Sequence, residues 1–529
     1  MLSDTLDFDL ANLSQSDAPV YGGAGDSLLP DYAFCVAAIL GYLLLFYARL
    51  PIWEDQGIYH YQAWCLQHGL APYVDAINLG FPGTILLHCV ARAISGADPT
   101  GLRIVDAAFQ LALLLGTSML LRAWGVRAPV RLLALTAYLL YYFRPSPQYT
   151  AQRETFTLPL ALWALLPWLS QLRPAATWRW GTCALAGVVA AAGLWIKPTV
   201  GLVIVVGLIP ALAMHWRKRR FWLGIAALCV GAMAASLVMI GWLAHIGSLP
   251  GFLKWAVQYA FGPYAEAKAP WPARVHGLWS DVIFGGRHTV SVLALLAAGG
   301  AVHFLRGCRA ETWRRRRELG GTLALVVGTT AVILGQGKGW TYHYAPLLWA
   351  LAVLGALLLS ASRLNEPSAR RTPAVWALCL LLAFGVGVKM ARVSVEPTDG
   401  VRLARQLSAL LPPGKTVVLF GFSPSLLSEL GRPTPFPFVN GYTMCAASPP
   451  GSWPRMEILG SLARALSDPS VQYAIVGRVA TWQVDSPGES PMSLIKADPA
   501  VWAILSRDYR WTRNPTSEES DVYERTGGG

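Results

Sequence analysis

Charge is scarce in this chain: only 14% of its 529 residues are Asp, Glu, Lys or Arg, and 54% are hydrophobic. Soluble domains carry about 25% charged residues. The shortage excludes an ordinary soluble enzyme, a disordered chain and a fibrous protein. None of the 8 cysteines forms a Cys-x-x-Cys pair or a Cys/His set at zinc spacing, so no metal site is indicated, although acids of the first loop can hold a divalent ion. The cysteines read as small buried hydrophobes, and Cys65 and Cys89 share one loop. Lys and Arg are missing from residues 1–31, which hold Asp4, Asp7, Asp9, Asp17, Asp26 and Asp31. A cleavable signal peptide needs a basic start, so none is expected here; the segment reads as a disordered cytoplasmic tail. No repeat or extended low-complexity tract is present. No Walker loop is present either.

What the chain has instead is long apolar runs, 22 Trp, 19 Tyr and 36 Pro, a mixture that suits a polytopic membrane protein with aromatic belts. The first span is expected at Tyr32 to Leu50. Further runs begin near Arg103, Arg131, Thr155, Trp180, Thr199, Phe221, His288, Gly320, Tyr344 and Pro373, giving about eleven spans of about 17–25 residues. The stretch from Pro82 to Gly96 is short and carries His88 and Arg92, so it reads as an interfacial helix. The net charge is +13, gathered in clusters such as Arg217 to Arg220 and Arg314 to Arg317. These fit cytoplasmic loops rather than a nucleic-acid surface. Parity then places the first loop (51–102) and the C-terminal segment outside. From 394 to 529 the apolar runs shrink. Thr416 to Gly421 and Tyr473 to Gly477 read as buried strands. Arg402 to Leu411, Met456 to Leu466 and Pro499 to Ser506 read as helices. The expected architecture is a polytopic α-helical membrane protein with a C-terminal extracytoplasmic α/β domain.

Ionisable residues at the outer ends of the spans carry the candidate chemistry. Glu54 and Asp55 follow the first span. A carboxylate there is either a general base or the cap of the next helix. Tyr59, Tyr73 and Asp75 follow in the same loop. Arg153 and Glu154 stand at the mouth of a span. Asp106 lies inside another, as a functional acid or as the partner of Arg103. Lys197 interrupts an apolar stretch, either snorkelling or binding phosphate. Lys338 sits among glycines, which let a backbone and an ammonium approach an anion. Trp340 and Tyr342 beside it are substrate contacts or part of an aromatic belt, and His343 is a phosphate ligand or structural. Acids and cations from separate segments thus gather at one face. That suits a substrate with a lipid tail, a phosphate and a polar head.

These residues resemble the GT-C glycosyltransferases, the multi-span enzymes that use polyprenyl-phosphate sugars and include protein O-mannosyltransferases and the aminoarabinose transferases of lipid A. The matching features are Glu54-Asp55, Gly57-Ile58-Tyr59, Gly69 to Asp75 with its Pro72-Tyr73, Pro82-Gly83, Gln152-Arg153-Glu154, Lys197-Pro198 and Lys338 to His343. They extend over about residues 32–393. Gln56 stands where many relatives carry a second acid. The resemblance implies inverting transfer at the extracytoplasmic side of a bacterial inner membrane. Asp55, with Glu54 as alternate, takes the base role. Arg153, Lys197, Lys338 and His343 hold the donor phosphate, and Tyr59, Tyr73, Asp75, Glu154, Trp340 and Tyr342 contact substrate. No cofactor is implied. The partners are a polyprenyl-phosphate-linked sugar, a glycan, lipid or protein acceptor, and membrane lipids. A transporter or lipid flippase would show paired repeats and spans broken near the midplane. A non-catalytic scaffold would tolerate amides at both 54 and 55.

Overall fold

Proline opens several of the helices, because its missing N–H is one the first turn leaves unbonded anyway. A computed structural model describes residues 28–143, 149–172, 178–266, 270–280, 289–305, 315–337, 341–360, 398–478 and 489–526, with scattered positions between 375 and 385. Among the described residues nine α-helices come first: α1 (Leu29–Leu45), α2 (Glu54–Gln67), α3 (Pro82–Ser95), α4 (Thr100–Ala123), α5 (Ala128–Tyr142), α6 (Arg153–Leu169), α7 (Trp180–Ile196), α8 (Val200–His215) and α9 (Arg219–His245). Pro30, Pro82 and Pro129 stand in the first turns of α1, α3 and α5. Helices Val290–Leu305, Arg316–Gln336 and Ala345–Leu359 follow. A helix thus occupies each expected span up to the one near Tyr344. The span expected near Pro373 falls mostly outside the described residues.

Among the described residues four helices are long and apolar enough to cross a membrane: Thr100–Ala123, Arg219–His245, Arg316–Gln336 and Tyr342–Leu359. Leu29–Leu45, Trp180–Ile196, Val200–His215 and Val290–Ala301 are apolar but shorter. α9 leaves Met233, Leu237 and Val238 exposed. An apolar surface of this kind suits a hydrocarbon neighbour.

Two buried polar knots tie the bundle. Asp31 belongs to α1 rather than to the tail, and its carboxylate accepts a 2.6 Å bond from Arg131 Nε. Both side chains are fully buried, so Arg131 at the start of its span is held inside the bundle. Ser118 of α4 also donates to Asp31. The second knot surrounds Asp106. Its carboxylate accepts from Tyr142 at 2.8 Å and from Tyr47. Arg103, the alternative partner, donates to the Leu50 and Pro51 carbonyls and to Gln56. Tyrosine hydroxyls, not a guanidinium, therefore hold this acid.

The C-terminal residues form a four-stranded sheet in the order β1-β2-β4-β3. β1 (Thr416–Phe420) runs parallel to β2 (Val471–Gly477). β4 (Ser520–Arg525) pairs antiparallel with β2 and with β3 (Tyr509–Thr512). β1 and β2 are the two apolar runs expected as strands. β3 and β4 carry Arg510, Asp521 and Glu524 and gave no such signal. Helices Asp399–Leu410, Trp453–Ser467 and Pro499–Asp508 lie close to their expected positions.

The sheet region is stitched to the first loop. Ile77 N–H donates to the Pro437 carbonyl at 2.6 Å, and Val439 N–H to the Ile77 carbonyl at 3.1 Å. Gly57 lies so close to helix Ser425–Leu430 that a Cβ there would sit 2.6 Å from Ser425 N. Gly83 abuts the end of α7 in the same way, 2.7 Å from the Trp195 carbonyl oxygen. Gly57 and Gly83, two glycines of the family-like motifs, are thus explained by close backbone approach.

Candidate active site

α2 begins at Glu54 because Trp53 stays extended and its N–H is capped by the Gln56 side chain at 3.1 Å. A residue three places into the helix satisfies the orphan donor, as in a capping box. Gln56 also donates to the Thr150 carbonyl at 2.6 Å and accepts from Arg103 at 3.1 Å. It anchors the start of α2 to the turn before α6 and to α4. Asp55, beside it in the first turn, faces a cavity of about 520 Å³. Its carboxylate accepts a 3.0 Å bond from the Tyr342 hydroxyl.

Several parts of the chain wall this cavity, among them the start of α2 (Trp53, Asp55, Tyr59), the first-loop residues Asn78, Leu79 and Phe81, the start of α6 (Gln152, Arg153), the turn joining α7 to α8 (Lys197 to Thr199), the end of helix Arg316–Gln336, Tyr342 with His343, and the segment holding Phe261 and Tyr264. The sheet region closes it with Leu419, Gly421, Phe422 and Val439 to Thr443.

The charges are organised in two layers. Arg153 stands over the Tyr59 ring, 5.5 Å from its centroid. Burial pushes the Tyr59 hydroxyl up to about 12, against the pull of Arg153, so it remains a neutral donor. Lys197 donates to Glu154 and, at 2.7 Å, to Gln336. His343 Nε2 lies 3.0 Å from the same Glu154 oxygen. Glu154 is buried and absent from the cavity wall, so it supports Lys197 and His343 from behind. Burial pushes the Lys197 ammonium down to about 8, and Glu154 works in the opposite direction.

The structure therefore brings Asp55, Tyr59, Arg153, Lys197, Tyr342 and His343 onto one cavity. It places three other candidates elsewhere. Tyr73 is buried and donates to the Gly80 carbonyl at 2.7 Å. Asp75 accepts from Ala71 N–H at 2.7 Å and lines a different cavity, beside Lys415 and Arg432. Glu154 occupies the supporting position just described. Glu54 opens α2, and its side chain lies outside the described residues, as do Lys338 and Trp340. Cys65 and Cys89 are free thiols. Among the described residues no three His, Cys, Asp or Glu side chains are grouped as metal ligands would be.

Sequence reasoning missed Asn78, Tyr264 and the whole C-terminal wall, including Asn440 and Thr443. Neutral polar residues carry no signal of their own in a polar segment. Long-range pairings such as Ile77 with Phe438 bring the C-terminal wall over the site.

No family model matches the sequence, and no curated protein does. Solved structures do. ArnT from Cupriavidus metallidurans bound to undecaprenyl phosphate is 12% identical, with a TM-score of 0.59 over 94% of this chain and 98% of that one. The apo structure of the same protein gives a TM-score of 0.53 at 13% identity, over the same shares of both chains. The arabinofuranosyltransferase AftD from Mycobacteria is 16% identical, with a TM-score of 0.51 over 94% of this chain but 40% of that one. At such identities the likeness concerns architecture: the chain shares its fold with ArnT and with part of AftD.

Proposed function

We propose that this protein is an integral membrane glycosyltransferase that moves a sugar from a polyprenyl-phosphate donor to an extracytoplasmic acceptor with inversion. The observation that carries the reading is the placement of one carboxylate, Asp55, and two cations, Arg153 and Lys197, on a single cavity. A fold shared with a protein crystallised with undecaprenyl phosphate supports the same donor class. The reading puts the cavity at the extracytoplasmic boundary, supported by the parity of the about eleven spans expected from the sequence and by its basic loops.

The mechanism follows from the residues. Asp55, oriented by Tyr342, accepts the proton of the acceptor hydroxyl. The acceptor oxygen attacks the anomeric carbon opposite the lipid phosphate, and the bond from that carbon to the phosphate oxygen breaks. Negative charge grows on the departing phosphate, where the Arg153 guanidinium and the Lys197 ammonium stabilise it. Phosphate is already a good leaving group, so the chemistry needs neither a nucleotide nor a covalent intermediate.

The test is Asp55→Asn in the reconstituted protein, assayed with radiolabelled polyprenyl-phosphate sugars. Transfer is expected to fall by about 10²–10⁴, with thermal stability retained. Undiminished transfer would remove Asp55 as base and pass that role to Glu54, the alternate.

A further inference from the structure

The cavity around Asp55 is unevenly charged. Arg153 and Lys197 stand on its wall against one carboxylate among the described lining residues, Asp55 itself. The wall supplied by the sheet region adds only uncharged groups, with Asn440 and Thr443 as its amide and small hydroxyl. Neither of these two side chains is bonded to another described residue. Tyr442 differs, since its hydroxyl donates to the Glu489 carbonyl at 3.0 Å.

We infer that the sugar transferred is uncharged, a hydroxylated hexose or pentose, and that Asn440 and Thr443 read its hydroxyls. This rests on the glycosyl transfer proposed above and names the class of its donor. The ammonium of an amino sugar would enter a cavity that already holds two cations. Among the described lining residues its carboxylate partner would be Asp55, and pairing there would occupy the group that must accept a proton. A uronic acid would set its carboxylate against Asp55 and compete with the lipid phosphate for Arg153 and Lys197. A sugar hydroxyl meets neither problem. It can donate to the amide oxygen of Asn440 and accept from its nitrogen, and Thr443 offers the same pair of roles. A site built from such groups favours a partner that satisfies them and rejects one that leaves them unpaired.

The experiment uses the full chain in lipid nanodiscs with three undecaprenyl-phosphate donors that carry a neutral pentose, a neutral hexose or a 4-amino pentose. At least one neutral donor is expected to exceed the amino sugar by about tenfold or more in kcat/KM. Asn440→Ala is expected to raise KM for the neutral donor about fivefold or more, with kcat changed less than KM and binding of sugar-free undecaprenyl phosphate unchanged. Asn440→Asp is expected to narrow the gap to the amino sugar. A wild-type preference for the amino sugar would overturn the inference while leaving glycosyl transfer standing. So would a KM left unmoved by both Asn440→Ala and Thr443→Val. Absence of transfer from every donor would sink the glycosyltransferase reading itself, and this inference with it.

Discussion

Lys197 has a buried carboxylate behind it and an open cavity in front. Glu154 keeps the ammonium from being an unpaired charge in an apolar bundle, and the cavity leaves it room to meet an anion. Because burial lowers this amine to about 8, its charge is present below that pH and lost as pH rises through it. The kcat/KM profile reports groups of the free enzyme. Donor kcat/KM is therefore expected to fall as pH rises past about 8, in steady-state assays of the reconstituted protein. In Lys197→Arg the fall should move out of the accessible range, since a guanidinium stays protonated. A wild-type profile level to high pH, or one unchanged in the arginine variant, would dismiss Lys197 as the titrating phosphate ligand. Lys197 was conspicuous in the sequence because ionisable groups are costly among apolar residues. Asn440 was not, since an asparagine before a glycine is unremarkable in a turn-rich segment.

Helices were legible as elements because apolar runs of sufficient length have few alternatives. Their partners were not. Asp31 is one of a series of acids in a polar N-terminal stretch, and nothing local separates it from its neighbours. Only the packing of α1 against α5 couples it to Arg131, 100 positions further on. The same limit applied to Asp106, where proximity in sequence suggested Arg103 and the fold supplied two tyrosines. The α1–α5 pair makes a strong prediction because both side chains are fully buried. Asp31→Ala leaves the Arg131 guanidinium buried with its carboxylate gone, a loss of about 3–5 kcal/mol. The expected result is a marked fall in melting temperature of the detergent-purified protein. Asp31→Ala combined with Arg131→Leu should recover most of it, because no charge is then stranded. Equal melting temperatures for wild type and Asp31→Ala would show that the pair adds no stability.

At the scale of the whole molecule the sheet region is part of the cavity rather than an appendage. The contacts that bring its wall to the site include the Ile77–Phe438 pairing and the seating of α2 on helix Ser425–Leu430. Gly57 makes the second contact possible, one turn or less from Asp55 on the same helix. A side chain at 57 must push the Ser425 backbone away, and the wall formed by Leu419 to Thr443 moves with it. Misplacement by about 1 Å can cost about 10²-fold in rate. Gly57→Leu is therefore expected to lower kcat/KM by about tenfold to a hundredfold, while the apolar bundle keeps its helical content by circular dichroism. Gly41→Leu in α1 is the matched control, since a Cβ there meets nothing within 4 Å. Its kcat/KM should stay within about twofold of wild type, as surface changes away from special features usually do. If the two leucine variants turned over donor equally well, the seam between α2 and the sheet region would not set the geometry of the site, and the C-terminal wall would lose its claim on the substrate.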